Sequence, residues 1–394
     1  MRIFMKRTAL AALAIAIMAA TPSAPPSPGR VDGPLPEGNI LFWPLVQRPA
    51  GFSHMEDIYP TAIVRRGDHV KSFAVAPAEL KVRYTVAGHP MDSDGFMAAN
   101  NVAGLLIIRD GTILLERYRF GFGPTMRWTS FSTAKSVTST LVGAAIRDGY
   151  IKSIDDPVSR YIPGLTGSAY DGVSIRHMMM MSSGVKWNED YEDPAADASK
   201  MKAVYDDPKG DMVAYMAALP RVTEPGTKFH YNTGDSNMLG LLVANATGRP
   251  MAQYLSEKIW APYGMEADAA WVTVQGQALG GSSLSMRLRD FGRFGQFFLD
   301  NGVIDGRSIL PDGWRDQATG HLLPTGWGDV GYGYQWWANR DGSYRALGIF
   351  GQMIFTDPKT RLIVVALSAW PRADAQETYA VEDAYLAAVR KAIQ

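Results

Sequence analysis

The stretch NVAGLLIIRDGTILLERYRFG, residues 101–121, decides the fold because it places two apolar runs on either side of Asp110-Gly111. An Asp-Gly pair between two β-forming runs is typical of a tight hairpin turn. A second strand-rich stretch, YGYQWWANRDGSYRALGIFGQMIFTDPKTRLIVVALSAW, covers residues 332–370 and has turn signals at Asp341-Gly342 and Asp357-Pro358. We expect strands from both stretches to form one antiparallel sheet.

Helical patterns dominate the chain between these stretches. Breakers such as Gly149 and Pro220 mark the predicted ends of the first and third helices. The predicted helices cover residues 132–147, 174–181, 212–219, 236–246, 251–260 and 284–300, and a last one, YAVEDAYLAAVRKAIQ, closes the chain. The predicted fold class is α/β of the α+β type, an antiparallel sheet flanked by helices, with a large helical subdomain inserted at about residues 150–300.

The N-terminal region is predicted to contain a secretory signal followed by a lead-in. Arg2, Lys6 and Arg7 precede an apolar run that is too short to indicate a membrane span. Residues 1–24 are therefore interpreted as a signal peptide, with an uncleaved anchor as the alternative. Residues 25–100 are expected to form an extended lead-in of little function, and the protein is expected to be periplasmic or secreted.

Charge and cysteine content exclude several classes of function. The 394 residues include 39 Lys and Arg and 39 Asp and Glu, so no net charge attracts nucleic acid or an anionic membrane. The absence of cysteine excludes disulfides, thiol catalysis and lipid attachment through cysteine. A small, weakly charged substrate fits this composition better, no stable membrane insertion is expected after signal cleavage, and the oligomeric state stays open.

Ser132 and Lys135 form the candidate reactive pair. Three residues apart at the start of a predicted helix, they share one face and lie within reach of each other. A serine hydroxyl needs a base, and a buried lysine of lowered pKa can act as one. The alternative is an N-cap serine followed by a solvated lysine. A second S-x-x-K match, Ser183 to Lys186, is disfavoured because it follows a helix instead of starting one.

Motifs of other nucleophile, metal and phosphate sites are absent from the sequence. The sequence lacks G-x-S-x-G, H-E-x-x-H and a G-x-x-x-x-G-K loop, and its six histidines are scattered. We therefore expect neither a metal nor a cofactor.

Four motifs carry a family resemblance. In order, FSTAKS, PGTKFHYNTGDSNMLGLLVANATG, GGSSLSMRLRDFGRFG and ALGIFGQMIFTDP resemble the serine β-lactamase and penicillin-binding superfamily. WNEDYEDPA and LSAWP bring the chain nearest to its class C-like group of 6-aminohexanoate-dimer (nylon oligomer) hydrolases and carboxylesterases. The resemblance implies a β-lactamase/transpeptidase-like serine hydrolase domain at residues 101–394.

The resemblance also implies roles for individual residues. Ser132 would be the nucleophile, Lys135 its partner, and Tyr231 a phenolate-like base that later protonates the leaving group. Gly348 closes the third motif, Ala346-Leu347-Gly348, and Ile349 would join Ser132 in supplying the oxyanion-hole N–H groups.

Two departures from the family pattern favour linear substrates over β-lactams. The second motif has Thr233 where Tyr-x-Asn is usual, and the third has Ala346 in place of lysine or histidine. Both losses remove groups that hold a β-lactam.

Three further features concern substrate binding. Tyr191 matches a loop tyrosine that contacts the scissile amide, with a surface aromatic as the alternative. Where the resemblance implies an acidic residue that pairs with a substrate ammonium, this sequence has Lys200 and Lys202. Asp197, close by, is interpreted as a solvated carboxylate. Gly281, after Gly280, is expected to permit close backbone approach at the cleft wall.

An aromatic set is interpreted as core or as an acyl pocket: Trp327, Tyr332, Tyr334, Trp336 and Trp337.

The predicted function is an exported serine hydrolase that cleaves small linear amides or esters through an acyl-enzyme. The alternatives are a penicillin-binding-type peptidase or weak β-lactamase, and a catalytically inactive binding module.

Overall fold

The computed structural model describes residue 31, residues 33–207 and residues 209–394. The predicted signal peptide, residues 1–24, lies outside this part of the chain. Within the described part, no helix is both long and apolar enough to cross a membrane.

The helices and strands are numbered along the chain. The helices are α1 (Arg48–Ser53), α2 (Met55–Ile58), α3 (Ser93–Ala99), α4 (Ala134–Arg147), α5 (Ile175–Met179), α6 (Asp197–Asp206), α7 (Met212–Ala217), α8 (Thr233–Thr247), α9 (Met251–Leu255), α10 (Ala261–Tyr263), α11 (Leu288–Leu299), α12 (Trp314–Ala318) and α13 (Gln376–Ala392). The strands are β1 (Thr61–Val64), β2 (Ala74–Val75), β3 (Arg83–Val86), β4 (His89–Asp92), β5 (Val102–Arg109), β6 (Thr112–Tyr118), β7 (Trp128–Thr129), β8 (Ala269–Val274), β9 (Gln277–Ala278), β10 (Leu284–Met286), β11 (Val303–Ile304), β12 (Arg307–Ser308), β13 (Leu323–Trp327), β14 (Val330–Tyr332), β15 (Trp337–Ala338), β16 (Tyr344–Gly348), β17 (Gln352–Asp357) and β18 (Leu362–Ser368).

The predicted sheet built from both ends of the chain is confirmed. In the described residues it has the strand order β13-β14-β15-β16-β17-β18-β5-β6-β2. The pairs are antiparallel apart from the edge pair β2–β6. The hairpin turn lies at Asp110-Gly111, where Arg109 pairs with Thr112. Every residue of β18 is buried, as expected for a central strand covered on both faces.

Helices cover both faces of this sheet, as predicted. On one face α3 and α13 pack together, with Phe96 and Tyr385 stacked at a ring distance of 4.0 Å. On the other face lies α11, whose Phe298 stacks on Trp336 at 4.5 Å. The larger core continues from there into α4 and α8, so the start of α4 lies between the sheet and the helical region.

The helical middle differs from its prediction in two respects: it contains the unpredicted helix α6 (Asp197–Asp206), and it contains strands. Residues 269–286 contribute β8, β9 and β10 to a second antiparallel sheet with the order β1-β8-β10-β7 and β9 paired to β8. The helix predicted from residue 284 therefore begins only at Leu288, as α11. Leu284–Met286 pairs with β8 and β7, and this pairing with distant strands outweighs the helical period of the local sequence.

The predicted lead-in also contains regular structure. Arg48–Ser53 and Met55–Ile58 are helical, and Thr61–Val64 is a sheet strand. Trp43 and Phe52 are 1% and 0% exposed and anchor the segment in the core. The proline and glycine content of this region indicated an extended chain, but the burial of these two aromatic side chains stabilises folded turns instead.

Candidate active site

A strained turn presents Ser132 at the start of α4. The 3₁₀ turn Phe131–Thr133 leads directly into the helix, and Phe131 has a φ of +43°, an uncommon value for a residue with a side chain. The Phe131 ring is fixed by edge contacts with Phe52 at 4.9 Å and Phe350 at 5.4 Å. Packing on both sides therefore holds the backbone that aims Ser132 into the cleft.

Gly348 brings the end of β16 against this turn. A Cβ at position 348 would lie 2.5 Å from the Ser130 carbonyl oxygen and 3.0 Å from the Ser132 backbone nitrogen. Only glycine permits this approach without displacing the backbone. The next residue, Ile349, lines the same cavity as Ser132, so the predicted oxyanion-hole pair lies at one edge of the site.

Lys135 is buried beneath Ser132. Its side chain is 1% exposed, and Nζ donates to Ser132 Oγ at 2.9 Å, to the Gly281 carbonyl at 2.8 Å and to Thr233 Oγ1 at 3.0 Å. Burial lowers the pKa of Lys135 to about 8, while the charge of Glu189 acts in the opposite direction. About one tenth of the amine is therefore neutral at pH 7, far more than for a free lysine, and the burial of the side chain excludes the interpretation of Lys135 as a solvated residue.

Gly281 has the close backbone approach that the sequence predicted. Its nitrogen donates to Asn237 Oδ1 at 2.8 Å, and a Cβ at this position would lie 2.9 Å from the same oxygen. The carbonyl of Gly281 thereby faces Lys135.

Tyr231 completes the group. The Lys135 ammonium lies 5.0 Å from the centre of the Tyr231 ring, and the ring stacks on Trp337 at 5.7 Å. Desolvation in the cleft and the negative charge of Glu189 raise the pKa of Tyr231, and a hydrogen bond with Ser132 only partly offsets them. Tyr231 is therefore a neutral phenol at pH 7, which differs from the phenolate implied by the resemblance. We call Ser132, Lys135, Tyr231, Thr233 and Gly281 the Ser132 cluster.

Glu189 is a site residue that the sequence reasoning did not single out. Its carboxylate accepts from the Thr233 backbone N–H at 2.9 Å, and from the Thr233 hydroxyl. Trp187 Nε1 and the Tyr191 hydroxyl also donate to it, the latter at 2.8 Å. Thr233, noted only as a departure from Tyr-x-Asn, thus links Lys135 to a carboxylate. The sequence feature that could have identified Glu189 is its position two residues before Tyr191, in WNEDYEDP.

Tyr191 lines the cavity, whereas Lys200 and Asp197 do not, and the side chain of Lys202 lies outside the described part of the structure. Lys200 is exposed on α6. Asp197 accepts from the Asn188 N–H at 2.8 Å and from the Tyr215 hydroxyl at 2.7 Å, so it is a structural carboxylate and not a solvated one.

The Ser132 cluster opens onto a cavity of about 400 Å³. Its walls come from three parts of the chain. The N-terminal wall consists of Asn39, Ile40, Leu41, Met55 and Tyr59, all in the predicted lead-in. A second wall comes from residues 187–205 and a third from residues 272–283, including Met201, Val272, Val274 and Leu279.

Two alternatives left open by the sequence can now be decided. Ser183 is buried and receives a hydrogen bond from the Val185 N–H, whereas Lys186 is exposed. The duplicate motif therefore does not reproduce the Ser132 cluster. Of the aromatic set, Tyr332, Tyr334 and Trp336 are fully buried core residues, while Trp337 packs on Tyr231.

Comparisons with known proteins agree with this geometry. The family description Beta-lactamase matches residues 94–387. The 6-aminohexanoate-dimer hydrolase of Paenarthrobacter ureafaciens is 30% identical over 87% of this chain and 90% of its own length. A Bacillus anthracis structure, provisionally assigned as a 6-aminohexanoate-dimer hydrolase, matches with a TM-score of 0.76 and 23% identity over 86% of this chain and 92% of that one.

A family VIII carboxylesterase has the same fold, with a TM-score of 0.57 and 16% identity over 75% of this chain and 96% of that one. The match to the family description covers most of the chain, and the Paenarthrobacter relative extends it into the N-terminal segment. The chain therefore belongs to the Beta-lactamase family and is a serine hydrolase.

Proposed function

We propose that this protein is an exported hydrolase that cleaves small linear amides or esters through an acyl-enzyme on Ser132. The observation that carries the proposal is the 2.9 Å hydrogen bond between Ser132 Oγ and a fully buried Lys135 amine whose pKa is lowered to about 8. The 6-aminohexanoate-dimer hydrolase relative supports a linear amide as one substrate type, and the carboxylesterase structure supports esters. Export is supported by the signal-like sequence of residues 1–24.

Acylation follows from the contacts of the Ser132 cluster. Neutral Lys135 takes the Oγ proton as Ser132 attacks the substrate carbonyl, which gives an ammonium and a tetrahedral oxyanion. The backbone N–H groups of Ser132 and Ile349 stabilise that oxyanion. The neutral Tyr231 hydroxyl donates its proton to the leaving amine or alcohol and recovers one from Lys135, so the acyl group remains on Ser132.

Deacylation uses the same groups in reverse. As water attacks the ester carbonyl of the acyl-enzyme, the Tyr231 hydroxyl accepts a proton from the water and passes its own proton to neutral Lys135. Ser132 Oγ leaves with a proton returned by Lys135, and the acid is released. In this scheme Glu189 supports the cycle through Thr233, because it holds the hydroxyl that receives a hydrogen bond from Lys135.

The test is covalent labelling combined with turnover. The wild-type protein is expected to react with a fluorophosphonate probe and to hydrolyse p-nitrophenyl acetate, and Ser132→Ala is expected to do neither. Equal labelling of both proteins would overturn the assignment of the nucleophile.

Penicillin-binding activity is the second candidate, and the family membership favours it in general. Ala346 and Thr233 argue against it here, because neither supplies the cationic or amide group that these motifs usually direct at a β-lactam. Stable labelling of Ser132 by a fluorescent penicillin, without ester turnover, would establish this candidate instead.

A further inference from the structure

We propose that the cavity binds an uncharged, apolar arm of the substrate and that the N-terminal wall determines this preference. The proposal rests on the proposed function, since the arm belongs to the amide or ester that Ser132 attacks. It goes beyond that function by naming the chemistry of the substrate and the segment that selects it.

The N-terminal wall is firmly attached to the site. Asn39 Oδ1 caps the 3₁₀ turn Ile40–Phe42 by accepting from the Leu41 N–H at 3.1 Å. The Arg48 guanidinium donates to the Trp43 carbonyl at 3.0 Å and to the Pro371 carbonyl at 2.8 Å, which ties the segment to the loop after β18. Hydrogen bonds therefore fix the N-terminal wall in place as an integral part of the site.

The far end of the wall is fixed by a sheet. The Thr273 N–H donates to the Pro60 carbonyl at 2.8 Å, and β1 continues from there along β8. The end of the N-terminal wall at Tyr59 and the wall of residues 272–274 are thus joined through Pro60 by a backbone hydrogen bond. Such a cavity is largely formed before the substrate arrives, which favours selection by shape and polarity.

The polar groups that line the cavity already form hydrogen bonds within the protein. Glu189 accepts from Trp187, Tyr191 and Thr233. The Asn237 amide donates to Tyr205 and accepts from Gly281, and Gln275 Nε2 donates to backbone carbonyls. These groups offer a substrate few unused hydrogen bonds.

The charges of the residues that line the cavity also favour an uncharged substrate arm. None of the described residues lining the cavity is a lysine, arginine or histidine, and Glu189 is its one carboxylate. Because that carboxylate already accepts four hydrogen bonds, it is poorly placed to neutralise a substrate ammonium. An anionic arm would find no cationic partner among the described lining residues, and a cationic arm would find only a carboxylate that is already hydrogen-bonded, so burial of either charge is unfavourable. An apolar arm would instead bury its methylenes against Ile40, Leu41, Val272 and Val274.

The volume suits an arm of moderate length. At about 30 Å³ for each water in the liquid, 400 Å³ corresponds to roughly a dozen waters. An acyl or alkyl chain of several carbons fits with space for the scissile group.

The experiment compares chain length and charge in the acyl arm at a constant leaving group, and chain length in the alcohol arm at a constant acyl group. Kinetics are measured with p-nitrophenyl acetate, butyrate, hexanoate and octanoate, and with alkyl acetates of the same lengths for the opposite arm. Three p-nitrophenyl esters of matched length carry a methyl, an amino or a carboxyl group at the chain end. We expect kcat/KM to rise about fourfold per methylene in one of the two series. Both charged esters are expected to fall at least about tenfold below the neutral one.

Wall variants then test the assignment of the segment. Leu41→Ala is expected to flatten the length dependence, and Leu41→Asp to raise the relative kcat/KM of the amino ester over the neutral ester by about tenfold or more. Val46→Ala is the matched control, because Val46 lies in the same segment, is 88% exposed and is outside the cavity lining. Melting temperatures of all variants confirm that each is folded.

The possible failures are distinguishable. If no ester turns over, or Ser132→Ala retains activity, the proposed function fails. If esters turn over through Ser132 but length has no effect in either series, this inference alone fails. A wild-type preference for the amino or the carboxyl ester, or for the zwitterionic 6-aminohexanoate dimer over neutral esters, also overturns it.

Discussion

The Ser132 cluster and the N-terminal wall lie in one cavity but are built in opposite ways. The cluster is polar, and the Ser132 hydroxyl, the Thr233 hydroxyl and the Gly281 carbonyl all accept hydrogen bonds from one buried amine. The wall is mainly apolar, and its contact with the site depends on the packing of Trp43, Phe52 and Phe131. The two regions share the Phe52–Phe131 contact, but the wall residues that line the cavity make none of the Lys135 hydrogen bonds. A wall residue such as Leu41 can therefore be changed without removing a hydrogen bond of the cluster, so selectivity can be altered apart from reactivity.

The largest expected effect on activity comes from the base within the cluster. Lys135→Met keeps the length of the side chain but removes the amine that bonds to Ser132. We expect kcat/KM for p-nitrophenyl esters to fall on the order of 10³-fold, the scale of general-base catalysis. The melting temperature is expected to stay equal or to rise, since a buried polar group is removed.

Lys186→Met is the matched control for this variant. It makes the same change in the duplicate S-x-x-K motif, where the lysine is exposed, and should leave kcat/KM unaltered. Comparable losses in both variants would mean that the Ser132 cluster does not hold the base.

The contrast between the two regions also explains what the sequence could and could not predict. Ser132 and Lys135 are three residues apart, so one helical turn brings them together and a short motif records the arrangement. The main sheet was predictable for a similar reason, because turn chemistry at Asp110-Gly111 and Asp341-Gly342 acts locally.

Neither the N-terminal wall nor Glu189 has such a signature. Leu41 and Val272 line one cavity in a fold where β1 pairs with β8 across some two hundred residues, and no local pattern encodes that pairing. Glu189 stands in a run of acidic residues, where its sequence environment is that of a solvated loop. Its four hydrogen-bond donors are contributed by the fold, so its role could be recognised only in three dimensions.

A second prediction concerns the carboxylate that supports the cluster. If neutral Lys135 is the base, kcat/KM in the wild type should rise with pH around a midpoint near 8, because deprotonation creates the active form. The charge of Glu189 raises the pKa of Lys135 against the larger effect of burial. Glu189→Gln should therefore shift the midpoint to lower pH and, by weakening bonds to Thr233, reduce the limiting rate by about tenfold.

Glu192→Gln is the control for the electrostatic argument. Glu192 lies three residues along the same loop, is exposed and pairs with Arg372 at the surface. Its pH profile should match that of the wild type. If the pH midpoint of kcat/KM were unshifted in Glu189→Gln, the Glu189 charge would not affect the titration of Lys135, even if the rate decreased.

The smallest effect on activity is expected from a buried ionisable residue outside both regions. Glu382 on α13 is 1% exposed, and burial raises its pKa from 4.5 to about 8, with Arg345 acting weakly in the opposite direction. Because the folded state keeps this carboxyl protonated while the unfolded chain ionises, its contribution to the free energy of unfolding declines as pH rises from about 4.5 through 8. Glu382→Gln removes that dependence, so its melting temperature should fall less than that of the wild type between these pH values.

Even about 1 kcal/mol would appear as a difference of about 1 °C in a chain of this size. The kcat/KM profile should be unchanged, since the carboxyl is neither in the Ser132 cluster nor in the cavity lining. Burial shifts the pKa of both Lys135 and Glu382, but only Lys135 contacts Ser132. If Glu382→Gln altered the pH midpoint of catalysis, the chemistry would not be confined to the Ser132 cluster, and the separation between reactivity and the rest of the fold would fail.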